Sequence, residues 1–148
     1  MHGLYFDDFK VGDRFVTAGY TFTEAAIIDF AFQYDPQPFH LDAEAARHSV
    51  FGGLVASGFH TLCVCFRLIY QQGVFATANM GGRGMDELRW TRAVRPGDTI
   101  HVEMEVVEVT PSSRPDRGNM RMAFAAKTAT GETVMTAVLM PVLARRPA

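Results

Sequence analysis

The run SGFHTLCVCFRLIYQQG, residues 57–73, decides the fold. Ser57 is a good helix N-cap, because its hydroxyl oxygen accepts an N–H of the first turn. Gly73 closes the run, as glycine does where a helix ends in a left-handed residue. Between them, Gly58 to Gln72 predicts one long helix. Phe59, Leu62, Cys63, Phe66, Ile69 and Tyr70 recur at helical spacing as a broad apolar face, and Val64 and Leu68 widen it. A helix so apolar is expected to be largely wrapped by other structure.

The wrapping is legible on both sides of it. Downstream, Gly81-Gly82-Arg83-Gly84 reads as a flexible lead-in loop without the P-loop pattern. Leu88 and Trp90 then alternate with Arg89 and Thr91 as a strand. Pro96-Gly97-Asp98 is a turn. Thr99 to Thr110 alternates Ile100, Val102, Met104 and Val106, a long half-buried strand. After a polar loop from Pro111 to Gly118, Asn119 to Thr130 and Thr133 to Ala144 are two more strands, joined at Gly131-Glu132. Upstream, Arg14 to Phe22 is rich in β-branched and aromatic residues and predicts a first strand. Five strands in an antiparallel meander and one long helix imply an α+β fold with the sheet curled around the helix. Its edge strands need cover, which pairing with a second subunit supplies.

Between the first strand and the long helix lies the chemistry. Thr23 is an N-cap with Glu24 behind it, and Ile27, Phe30, Ala31 and Tyr34 form one apolar helical face. Pro36 stops that helix at Tyr34 or Asp35. Asp42 is the next N-cap, opening a short turn that ends near His48. The segment between reads Tyr34-Asp35-Pro36-Gln37-Pro38-Phe39-His40-Leu41-Asp42. Each proline fixes its own φ and keeps the preceding residue extended, so a stiff, non-helical crossing is expected. It carries a carboxylate and an imidazole five residues apart, a pairing suited to proton transfer. Spacing alone leaves two readings open: a rigid proton-transfer loop, or an Asp that ends a helix next to a surface His.

Composition narrows the class. The chain has 148 residues, expected to form one domain over 1–148, with 48 % hydrophobic and 20 % charged residues, a globular balance. A formal net charge of −2 without any Lys/Arg block argues against nucleic acid or an anionic membrane as partner. The first residues lack a signal-peptide pattern, and no apolar stretch is long enough to span a bilayer. Cys63 and Cys65, two apart on a helix, point to different sides and share neither disulfide nor metal; a reducing cytoplasm is expected. His2 and His101 read as terminal and strand-surface residues, and His48 and His60 as helix-end residues. No histidine pair has zinc spacing with a third ligand. The eight methionines are expected to fill the core and line an adaptable tunnel.

The Tyr34 to Asp42 segment resembles the signature of the MaoC-like dehydratases and (R)-specific enoyl-CoA hydratases, approximately G-D-x-N-P-(aliphatic)-H. Asp35, Pro38 and His40 match it. Tyr34 stands where a small residue is usual, and Gln37 where Asn is usual. Val55-Ala56-Ser57-Gly58 looks like the family's second landmark. Leu88-Arg89-Trp90, then Val94-Arg95-Pro96-Gly97-Asp98-Thr99, resembles its following strand and turn. Ser113 to Gly118 looks like a loop of one branch, so the likeness spans nearly the whole chain.

The resemblance implies a hot-dog fold, usually dimeric, acting on acyl-CoA thioesters without metal or cofactor. The implied reaction adds water to a trans-2-enoyl thioester to give the (R)-3-hydroxyacyl thioester, or runs in reverse. Asp35 and His40 would hold the water, and the Gly58 N–H would receive the thioester oxygen. Gln37, Pro38 and Ser57 are the implied substrate neighbours. Phe66 occupies the position of a supporting Ser in some relatives. Arg83, Arg89, Arg92 and Arg95 are candidates for CoA phosphates, although a solvated strand face is the more ordinary reading of each. Two other classes stay open: a hot-dog thioesterase, and a non-catalytic acyl-thioester binding subunit.

Overall fold

The computed structural model describes residues 3–148; His2 lies outside them. Its elements run β1 (Arg14–Val16), β2 (Tyr20–Thr21), α1 (Glu24–Tyr34), α2 (Pro38–Leu41), α3 (Ala43–Arg47), α4 (Gly58–Gln71), β3 (Asn79–Trp90), β4 (Thr99–Pro111), β5 (Arg117–Thr128) and β6 (Thr133–Ala144). The strands form one antiparallel sheet in the order β1-β4-β5-β6-β3, with β2 also on β4.

Alternation decides which side of the sheet is buried. Ile100, Val102, Met104 and Val106 of β4 and Met120, Met122, Phe124 and Ala126 of β5 are all buried, and the residues between them are partly exposed. Val64, Cys65, Leu68 and Ile69 of α4 join them in one core. Each large side chain buried there contributes about 2 kcal/mol of transfer free energy. This is an α+β hot-dog fold: a six-stranded sheet packed on one long helix.

The local signals hold where they are local. Thr23 Oγ1 accepts the Ala26 N–H at 3.1 Å, Asp42 accepts those of Glu44 and Ala45 at 3.0 Å each, and Ser57 Oγ accepts that of Phe59 at 3.2 Å. Gly73 has φ 88° beyond the end of α4.

Several expectations are corrected. Arg14 to Phe22 is not one strand: Thr17 leaves the ladder and its hydroxyl accepts the Val102 N–H at 2.9 Å, so β1 and β2 are separate. Gly81 to Gly84 is not a loop but the start of β3, irregular against β6, with register shifts on both sides of Gly82 and between Asp86 and Arg89. The last shift puts Glu87 at φ 55°, a bulge on an edge strand. Tyr34 is not a core residue; it is 70 % exposed, and Ile27 and Ala31 carry the buried face of α1. Gln37 is extended as expected, whereas Asp35, at φ −150° and ψ 72°, leaves the helical region without being extended, and Pro38 to Leu41 is a helical turn. Proline at the first position of a helix needs no N–H partner and has a helical φ already, so Pro38 starts a helix instead of preventing one.

No helix among the described residues is long and apolar enough to cross a membrane. Both cysteines are free; Cys63 is exposed, and burial pushes the Cys65 thiol up to about 12.

Candidate active site

Three short pieces of backbone converge. The C-terminal end of α1 brings Asp35, the turn α2 brings His40, and the start of α4 brings Ser57 and Gly58. His40 Nε2 lies 3.4 Å from Asp35 Oδ2. The bland alternative of a surface histidine does not apply, because His40 is buried.

Each member has a defined orienting partner. His40 Nδ1 lies 2.6 Å from the Val55 carbonyl oxygen. A carbonyl only accepts, so Nδ1 carries a hydrogen and donates it, and this bond turns Nε2 to Asp35. On the carboxylate, Ser57 Oγ donates to Oδ2 at 2.6 Å and Gln37 Nε2 donates to Oδ1 at 2.6 Å. Burial pushes the Asp35 carboxyl up, but the Ser57 and Gln37 hydrogen bonds and the adjacent imidazole outweigh it and hold the acid below its ordinary value of 3.8. The result is an anion beside the Nε2 of an oriented imidazole. Oδ2 and Nε2 stand 3.4 Å apart, close enough for one water molecule to hydrogen-bond to both.

The pair opens into a cavity of about 480 Å³ that Gly58 also lines. Among the described residues the Gly58 N–H has no protein acceptor. It belongs to the first turn of a helix, where unpaired N–H groups and the helix dipole favour developing negative charge. A packing reason for this glycine exists as well, since a Cβ here would overlap the Trp90 ring. Phe39, Phe51, Phe59 and Trp90 supply aromatic walls.

The other expected site residues divide. Gln37 lines the cavity while holding Asp35. Pro38 opens α2 and is absent from the cavity wall. Ser57 has no exposed surface, so its hydroxyl serves Asp35 and the Phe59 N–H. Phe66 stacks on Tyr70 away from the cavity, and no described methionine lines it. Arg92 alone of the four arginines lines the cavity, and it is paired with Asp98 and Glu132. Arg95 donates to the Phe51 carbonyl beside it. His60 sits at the start of α4, as expected, and is buried there, stacked on Phe30 and edge-on to Phe22.

Sequence reading missed three features. They are the Ser57–Asp35 bond, the Val55 carbonyl that orients His40, and Trp90 against Gly58. Only the N-cap character of Ser57 hinted at one of them.

Comparison with known proteins shows the family. A MaoC-like dehydratase from Rhodospirillum rubrum is 45 % identical and superposes with a TM-score of 0.91, covering 99 % of this chain and 100 % of the other. YdeM, an uncharacterized protein of Bacillus subtilis (strain 168), is 31 % identical over 105 residues, 71 % of this chain and 74 % of its own. The R-hydratase PhaJ1 from Pseudomonas aeruginosa is 24 % identical with a TM-score of 0.73, covering 97 % of this chain and 91 % of its own, a likeness of fold. The family of MaoC like domains matches residues 8–135, and the chain belongs to that family.

Proposed function

We propose that this protein is a hydro-lyase that adds water to a trans-2-enoyl thioester, giving the (R)-3-hydroxyacyl thioester, or catalyses the reverse dehydration. The observation that carries the reading is the approach of His40 Nε2 to Asp35 Oδ2 at 3.4 Å on the wall of a cavity shared with Gly58. Water is a poor nucleophile and must lose a proton as it attacks C3. Asp35 and His40 grip that water between them and take the proton, which returns to C2 on the same face of the double bond. The two groups are coupled, so the proton belongs to the pair. As C3 is attacked, charge moves to the thioester oxygen, and the Gly58 N–H receives it.

In this reading Gln37 orients Asp35 at the edge of the acyl site, and Ser57 and Pro38 hold the two halves of the site in place. The acyl carrier is CoA or an acyl carrier protein, with Arg92 on the cavity wall, and the setting is cytoplasmic acyl-CoA or fatty acid metabolism. The long edge strand β3 and the exposed Phe59, Met80 and Trp90 favour a homodimer that covers them. The whole of residues 1–148 acts as one domain. A thioesterase of this fold needs only one carboxylate, and the oriented His40 beside Asp35 favours hydration over hydrolysis.

The test is the loss of enoyl-thioester ultraviolet absorbance on adding the protein to crotonyl-CoA and to longer enoyl-CoAs. Turnover that disappears in Asp35→Asn is expected. No turnover at any chain length, or full activity in that variant, overturns the reading; release of free thiol from saturated acyl-CoA would replace it with the thioesterase.

A further inference from the structure

We propose that Trp90 is the positioning residue of the oxyanion donor: its indole clamps Gly58 so that the glycine's own N–H keeps one orientation. This rests on the role assigned above to Gly58. A glycine has the freest backbone of any residue, yet an oxyanion donor works only when its direction is set before the charge develops. Something outside the glycine must set it.

The structure holds the peptide that follows Gly58 at both ends. Its N–H, that of Phe59, donates to Ser57 Oγ at 3.2 Å. Its carbonyl, that of Gly58, accepts the indole Nε1–H of Trp90 at 2.9 Å. The carbonyl oxygen has a second lone pair, so this bond does not compete with the helix. The indole also packs flat against the Gly58 α-carbon. A Cβ there would lie 2.7 Å from Nε1 and 2.8 Å from Cδ2, inside any permitted contact. The same ring meets Phe59 edge-on, at 5.6 Å between centroids. Trp90 thus grips residues 58 and 59 by one hydrogen bond and two packing contacts.

The clamp is itself anchored. Trp90 ends β3, where it pairs with Met135 of β6, and the Thr91 N–H donates to the Val134 carbonyl at 3.0 Å. The sheet therefore fixes the indole, and the indole fixes the start of α4. Core packing does not account for the position, because Trp90 remains 46 % exposed and lines the cavity. Ser57 completes the link: its single hydroxyl donates to Asp35 and accepts from Phe59, joining the water-holding and oxyanion halves.

Trp90 is the single tryptophan of the chain, so one indole signal reports on it. In the ¹H–¹⁵N spectrum of the intact protein, the indole N–H is expected to exchange with solvent more slowly than a free indole, and the Gly58 amide is expected to shift on adding crotonyl-CoA. Trp90→Phe keeps a ring against Gly58 but has no N–H. It is expected to lower kcat for hydration about tenfold, with KM within about twofold and the unfolding midpoint nearly unchanged. The Phe59 amide should exchange faster in the variant. A purely structural role would move the midpoint and spare kcat. Unchanged kcat in a folded Trp90→Phe, or an indole N–H that exchanges as freely as in the free amino acid, overturns the proposal. If Trp90→Phe fails to fold, the wild-type indole exchange still decides it. If the wild type hydrates no enoyl thioester, the enzymatic reading fails separately, and the amide exchange of Phe59 still tells whether Trp90 holds the helix start.

Discussion

Two concavities of this molecule differ in a way that size does not predict. The larger, about 680 Å³, lies on the sheet face away from α4, over Ala123, Ala125, Thr136 and Val138. Part of its charged rim is already paired: Arg14 with Glu105 at 3.1 Å, and Glu103 with Lys127 at 3.2 Å and His101 at 2.9 Å, while Glu87 and Arg89 line it without an ion pair among the described residues. The smaller, about 480 Å³, holds Asp35 and His40 with accepting capacity left over, and the unpaired N–H of Gly58. Volume is cheap on a sheet that presents small residues between long charged ones. Chemistry needs convergent groups whose hydrogen-bonding capacity is aimed but not spent.

The sharpest way to break that contrast is to disarm the smaller concavity. Asp35→Asn or His40→Ala is expected to cut hydration kcat/KM by about 10²- to 10⁴-fold, read from enoyl-thioester absorbance. Equal activity with wild type would erase the distinction between the two sites. The carboxylate also contributes to stability, and the sign is fixed. Its folded value lies below 3.8, so the contribution is complete at neutral pH and is lost as the pH falls through that lower value.

Gly58→Ala tests the packing half of the site. Its Cβ would overlap the Trp90 ring, an overpacking that costs about 1–3 kcal/mol in urea unfolding, with a larger than tenfold loss of kcat. Adding Trp90→Ala to Gly58→Ala should recover most of the stability but not the activity. Additive losses would show that the two residues do not meet.

His60 sharpens the comparison from behind the cavity, because its ring joins α1, which carries Asp35, to α4, which carries Gly58. Burial depresses its titration to about 4 from the ordinary 6.5, and its Nδ1 has no partner among the described residues. The unfolded chain therefore binds the extra proton between those values, and stability falls as the pH drops from 6.5 towards 4. His60→Phe should remove about 2 kcal/mol of that acid sensitivity, measured as the difference in unfolding free energy between pH 7 and pH 4.5.

The smallest effects are expected in the larger concavity. Glu105→Gln, which breaks an exposed ion pair, and Ala125→Val, on the outward face of β5, should each change hydration less than twofold and stability by about 0.5 kcal/mol or less. A tenfold loss of activity in either would move the site to the other face of the sheet.

Much of this fold was legible because its signals act over a few residues. Helix caps at Thr23, Asp42 and Ser57 lie within four residues of their partners, and the alternation of β4 and β5 repeats every second residue. The face of α4 that packs is corrected by the structure: His60, Thr61, Val64, Cys65, Leu68 and Ile69 are buried, while Phe59 and Cys63 of the expected face are exposed, because the sheet and α1 cover the other side of the helix. The differences share a cause. Pro38 reads locally as a helix breaker, but its position makes it a helix starter. Gly81 to Gly84 reads as a loop because glycine carries no strand signal, while pairing with β6 holds it in the sheet. Tyr34 fits the apolar period of α1, but nothing packs over that part of the helix.

By itself the sequence determined the fold class, the long helix and the glycine that opens α4, and it offered Asp35 and His40 as a candidate pair through the resemblance of their segment to the family signature. Each of these rests on residue identity and short-range spacing. Tertiary structure alone decided how the pair is armed. Val55 orients His40 from 15 residues away, Ser57 holds Asp35 from 22, and Trp90 clamps Gly58 from 32. No local periodicity encodes contacts at those separations. They arise where burial in one core brings distant backbone and side-chain polar groups together and leaves each needing a partner.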